Sequence, residues 1–188
     1  WPTRANSFDA RAGEILGISR RRVIALIEQK KLKAEKFGSV YSISRADLQA
    51  AVKVLAAAQS IYVLGHRRSF PVAYYLSYAL TQLELRAPLL DAVGGMLKEP
   101  ARLIGAKDAL LVVSFKNYTP EVVEVAQACK QRRVPVVAIT DNALSPLARA
   151  ATVCFQIEEK TSRPFRMLVA PMCLAQALVV AVGEHLDD

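Results

Sequence analysis

Three short stretches hold most of the side chains that could do chemistry in this chain of 188 residues. GHRRSFPVA carries Arg67, Arg68 and Ser69; SFKNYTPEVVE carries Ser114, Lys116, Asn117 and Thr119; TDNALSPLA carries Thr140, Asp141 and Ser145. In each, a hydroxyl follows a β-branched or leucine-rich run and precedes a helical pattern. Hydroxyls and backbone N–H groups at a helix N-terminus form an anion site without a metal, and the cations strengthen it. The competing role for Ser69, Thr119 and Ser145 is to cap their helices. One such serine is ambiguous, whereas serines at two strand ends facing one crevice favour a ligand.

Proton chemistry has few candidates. His66, His185, Glu158 and Glu159 could act as a base at carbon. His66 lies beside Arg67 and Arg68, where it helps hold an anion, and His185 sits near the C-terminus. None is paired with an orienting partner at a recognisable spacing, so no catalytic residue is assigned. Cys129, Cys154 and Cys173 lie in apolar surroundings without a CxxC pair, which reads as reduced buried thiols and gives no metal site. No cofactor is expected.

A second basic cluster, Arg20, Arg21 and Arg22, falls in the first turn of an early helix. Cations there oppose the helix dipole, so an external anion is expected to compensate. Residues 1–47 hold ten Lys and Arg against five Asp and Glu, leaving fifteen against twelve for the rest of the chain. The early basic excess suits a nucleic-acid partner.

The elements that must position these groups change character near residue 46. Before it, residues 8–16 read as a helix, Gly17 supplies a turn, and Ser19 caps a second helix to about residue 30. LKAEKFGSVYSIS then reads as a hairpin around Gly38 and Ser39. This is the order of a small winged helix-turn-helix unit, with Arg20 to Arg22 entering the major groove and Lys33 and Lys36 near flanking phosphates. Ser44 caps a helix over 45–58, with Leu48, Val52 and Leu55 on one side, that joins the two units.

From residue 59 the pattern is strand and helix in alternation. Strands are expected at 61–64, 87–90, 109–113, 135–139 and 152–157. Helices are expected at 70–83, 96–104, 120–132, 146–150 and 165–185. Continuous apolar strands between helices predict an α/β fold, a doubly wound five-stranded parallel sheet of flavodoxin-like type. Such sheets bind ligands at the carboxyl ends of their strands, where the three stretches lie. The last helix is apolar nearly all round, with Met167, Leu168, Val169, Met172, Leu174, Leu178, Val179 and Val182, so a homodimer or higher homo-oligomer is expected. The apolar run 168–183 is short for a membrane span and no signal peptide is visible, which points to the cytoplasm and away from a membrane.

Two resemblances refine this reading. The stretch GEILGISRRRVIALIEQKKLKAEKFGSVYSISRADLQAAV resembles the excisionase-type helix-turn-helix, a relative of the MerR fold. GHRRSFPVAYYLSYAL, LLVVSFKNYTPEVVEVAQACKQRRVPVVAITDNALSPLARAATV and FRMLVAPMCLAQALVVAVG together resemble the SIS (sugar isomerase) domain as found in RpiR-family transcriptional regulators. The division is then 1–46 for the DNA-binding unit and 47–188 for the SIS unit. The resemblance implies a transcriptional regulator that binds DNA and senses a phosphorylated sugar or related anionic metabolite, with its phosphate at the Ser69 and Ser114 to Thr119 loops. The family's loop commonly has Ser and Gly where this chain has Lys116 and Asn117, and Arg67 and Arg68 add cations. A more anionic effector, or one bearing a carboxylate, fits these departures. A sugar-phosphate isomerase of the same fold, with Glu158 or His66 as base, is the alternative.

Overall fold

The computed structural model describes residues 44–157 and 168–187. The helix-turn-helix expectation, with Arg20, Arg21, Arg22, Lys33 and Lys36, lies outside the described residues, as do Glu158, Glu159 and Met167.

The described chain opens on α1 (Arg45–Ala56), whose first turn carries Asp47 and which buries Ala51, Val52 and Leu55. Then come β1 (Ile61–Leu64), α2 (Phe70–Gln82), α3 (Lys98–Leu103), β2 (Ala109–Val113), α4 (Pro120–Gln131), β3 (Val136–Thr140), α5 (Pro146–Ala150), β4 (Val153–Gln156) and α6 (Val169–Asp187). The four strands form one parallel sheet in the order β1-β2-β3-β4. Every residue of β2 and β3 is buried, as expected of central strands covered on both faces.

The expected fifth strand is corrected. Residues 86–90 run beside the outer edge of β1 but join it through an isolated parallel bridge, Val63 with Leu89. The Val63 N–H donates to the Pro88 carbonyl at 2.9 Å and the Leu90 N–H to the Val63 carbonyl at 2.8 Å, while the Ile61 N–H reaches the Arg86 carbonyl at 2.7 Å. The next bond of the ladder would need an N–H at position 88. Proline has none, so the pairing stops after one bridge.

The two sheet faces are covered differently. Leu110 and Val112 of β2 and Val136 and Ala138 of β3 share one cluster with Ala101, Val122, Val125, Ala126, Leu147 and Ala150 from α3, α4 and α5. On the other side α2 packs on β1 and β2, and α6 packs on α2. Among the described residues α6 is the one helix long and apolar enough to cross a membrane by length and composition. Its Leu174, Ala175, Leu178, Val179 and Val182 are buried in the α/β unit. Of the apolar residues expected to seek a partner, Leu174, Leu178, Val179 and Val182 are covered within the chain, while Val169 is exposed and Leu168 and Met172 are half-buried.

Candidate functional site

β1 and β2 are hydrogen-bonded neighbours, with Leu64 beside Val112. The chain leaves β1 through α2 toward the Leu89 side and leaves β2 through α4 toward β3. Where successive connections part in opposite directions, a crevice opens at the carboxyl ends of the strands. The loops at that point are Gly65 to Ser69 and Ser114 to Thr119.

Gly65 lets them meet. A Cβ there would stand 2.9 Å from the Ala73 Cβ, 3.1 Å from the Ser69 carbonyl and 3.2 Å from the Val113 carbonyl. The chain then winds through a short 3-10 turn, Arg67–Ser69, into α2. Each loop holds one residue in the left-handed region, Arg67 at φ 54° and Asn117 at φ 70°. Asparagine tolerates this conformation; arginine rarely adopts it.

Ser69 and Ser114 are 5% and 6% exposed, and their hydroxyls have no protein partner among the described residues. Ser69 has helical backbone angles (φ −82°, ψ −15°), set by the preceding turn, and its side chain makes no capping bond. An N-cap needs an extended backbone to fold its oxygen over the next turn. Thr119 is extended but likewise makes no capping bond. Buried hydroxyls without partners are rare in native proteins and mark a place for water, an ion or a ligand.

Both serines line a narrow cleft of about 90 Å³, together with His66, Arg67, Arg68, Lys116, Asn117 and Thr119. It adjoins a wider groove of about 460 Å³, a volume typical of small-molecule sites. His66, Arg67, Asn117 and Thr119 border both. The N-termini of α2 and α4 meet here, adding partial positive charge. Arg67, Arg68 and Lys116 form no ion pair among the described residues.

Asp141, just after β3, shapes the second loop from behind. It is buried and accepts the Lys116 N–H at 3.1 Å, the Tyr118 hydroxyl at 2.6 Å and the Thr140 hydroxyl at 3.3 Å. Burial, and then the Asp141 carboxylate, raise the Tyr118 phenol above its ordinary pKa, so it remains a donor. Asn142 reaches the same hydroxyl at 3.3 Å. Asp141 is visible in the sequence only as a polar residue after β3; its tie to Tyr118 and the Ser114 loop spans β3 and carries no local signature, and Tyr118 is new. Leu168 and Pro171, at the start of α6, also border the cleft and are likewise new.

Two expected residues are not brought to the cleft. The Thr140 hydroxyl is fully buried and donates to Asp141. Ser145 has an extended backbone (ψ 147°), and its Oγ accepts the Ala148 N–H at 3.0 Å, so it caps α5. Of the possible bases, His66 donates from Nε2 to the Leu90 carbonyl at 3.3 Å, and His185 is exposed in the last turn of α6.

The SIS domain family matches residues 54–181. A search of curated proteins finds no match. Among solved structures, the sugar isomerase domain of an RpiR transcription factor from Sphaerobacter thermophilus superposes with a TM-score of 0.72 at 23% identity, covering 85% of this chain and 86% of that one. The Vibrio vulnificus NanR protein complexed with ManNAc-6P gives 0.69 at 20% identity, covering 99% of this chain and 64% of that one. A Methanococcus jannaschii protein with an inferred 3-hexulose-6-phosphate isomerase function gives 0.65 at 17% identity, covering 87% and 90%. Those likenesses establish a shared fold, and the family match extends over most of the chain. The chain belongs to the SIS domain family.

Proposed function

We propose that this protein is a cytoplasmic transcriptional regulator whose SIS domain senses a phosphorylated sugar or a related anionic metabolite. The observation that carries the reading is the pair of buried hydroxyls of Ser69 and Ser114, without partners among the described residues, set between the N-termini of α2 and α4 with Arg68 and Lys116 beside them. A phosphate group would satisfy both hydroxyls and the cations together. The effector-binding set is Arg67, Arg68, Ser69, Ser114, Lys116, Asn117 and Thr119, and the sugar would extend into the wider groove. Regulators and isomerases both occur among proteins of this fold. The sensor reading is favoured by Asp141, whose carboxylate is taken up by the Lys116 N–H and the hydroxyls of Tyr118 and Thr140 and so holds the second loop rather than facing the cleft as a base.

Residues 1–46 would bind DNA through Arg20, Arg21 and Arg22, with the protein acting as a homodimer or larger assembly. The test is calorimetry of the full chain with a panel of sugar phosphates, combined with selection from random DNA in the presence and absence of the ligand that binds. The expected result is a bound phosphosugar, no turnover of it, and an enriched DNA sequence whose binding responds to the ligand. Turnover would establish the isomerase alternative. No enriched sequence, together with a triple arginine-to-alanine variant at positions 20 to 22 that binds DNA as well as the parent, would remove the DNA-binding role.

A further inference from the structure

We infer that the ligand carries a second acidic group at its sugar end, a carboxylate or a second phosphate, and that Arg67 reads it. The inference rests on the phosphosugar reading above. The first phosphate is provided for without Arg67: Ser69 and Ser114 supply buried donors, and Arg68 and Lys116 border the narrow cleft alone. Two cations match a phosphate dianion. Arg67 is a third, and unlike those two it borders both the cleft and the wider groove.

Arg67 is exposed, and no carboxylate among the described residues neutralises it. The carboxylates nearby have other work: Asp141 receives the Lys116 N–H and the hydroxyls of Tyr118 and Thr140. Glu121 borders the groove from the first turn of α4, where a carboxylate complements the helix dipole. The backbone also resists an arginine here, because φ is 54° and glycine or asparagine would sit at that position with less strain. Strain retained at the mouth of a binding cleft points to a role for the side chain that causes it. A guanidinium fork pairs two-pronged with a carboxylate or a phosphate, which makes Arg67 a specificity-determining residue for an acid at the groove end.

Calorimetry on the full chain tests this with two matched pairs: glucose 6-phosphate against 6-phosphogluconate, and fructose 6-phosphate against fructose 1,6-bisphosphate. At least one doubly acidic member should bind about tenfold or more tighter than its monophosphate partner, as expected for one charged hydrogen-bonded contact. Which pair shows the preference decides between carboxylate and phosphate. In Arg67→Gln that preference should collapse below about threefold. Arg67→Gly, which removes the charge while relieving the left-handed strain, should collapse it too and guards against a misfolded glutamine variant. Equal affinities within both pairs, or a preference that survives both substitutions, would overturn the inference while leaving a phosphosugar site standing. Failure of every probe and of inorganic phosphate to bind would remove the phosphosugar reading and this inference with it.

Discussion

At the scale of single residues, Ser114 shows how a strand end can present a buried hydroxyl to the cleft. Its N–H continues the β2–β3 pairing by donating to the Ile139 carbonyl at 3.1 Å, which fixes the residue while its hydroxyl has no partner among the described residues. Among the described residues, Ser114→Ala breaks no side-chain hydrogen bond. Under the proposed function it should weaken binding of a sugar phosphate by about 1 to 3 kcal/mol, the loss expected for a hydrogen bond to a charged group. Calorimetry finding unchanged affinity would take Ser114 out of the site. Cys154 bears on stability instead. Burial, and then the nearby Asp47 charge, push its thiol from 9.0 up to about 11. The folded state therefore holds this proton more tightly than the unfolded chain does. Its contribution is complete below about pH 9 and is lost as pH rises through about 11. Thermal melts of Cys154→Ala should show a shallower loss of stability over that window, and slopes equal to those of the parent would refute the assignment.

At the scale of elements, α3 is fastened by a residue from another helix end. The Arg132 guanidinium, just past α4, donates to the carbonyls of Ala101 at 3.1 Å, Arg102 at 3.2 Å and Ile104 at 3.0 Å. These are carbonyls of the last turn of α3 and its C-cap, which have few other partners. Arg132→Ala should cost roughly 1 to 3 kcal/mol in urea unfolding, and Arg132→Lys should recover little because an ammonium cannot present a planar fork. Full recovery by lysine would mean that charge alone matters. Most elements are legible in the sequence because apolar runs and helical periods are local patterns: β1, β2 and α5 fall on the expected residues, and most other boundaries shift by one or two. The failure at 87–90 comes from the register against β1, which decides that the missing N–H of Pro88 falls on a ladder position. The site is legible as far as Ser69 and Ser114 stand at strand ends. Whether such a serine faces a ligand or caps a helix depends on backbone angles, helical at Ser69 and extended at Ser145. Residue type does not carry that information, and neither does it reveal the tie from Asp141 to the Ser114 loop.

At the scale of the whole molecule, the proposed self-association would use the exposed side chains of α2 and of the start of α6. Tyr74 and Tyr78 lie one helical turn apart on α2, each 58% exposed, and Val169 at the start of α6 is 65% exposed. Aromatic side chains gathered on one exposed ridge suit a protein interface better than open solvent. Light scattering at micromolar concentration should report a dimer or larger species, and Tyr74→Glu combined with Tyr78→Glu should shift it toward monomer. A monomeric parent protein would count against the assembly.

The position of the cleft between β1 and β2 also has a kinetic consequence. These strands are adjacent in space but separated along the chain by α2, residues 86–90 and α3. Their pairing closes a long loop, and such contacts are entropically costly early in folding. The two serine loops face each other only once that pairing exists, so a ligand held between them stabilises the native state more than the folding transition state. Saturating ligand should slow unfolding in a denaturant jump and leave the refolding rate nearly unchanged. A ligand that accelerated refolding by the same factor would mean that the two loops are already together at the barrier.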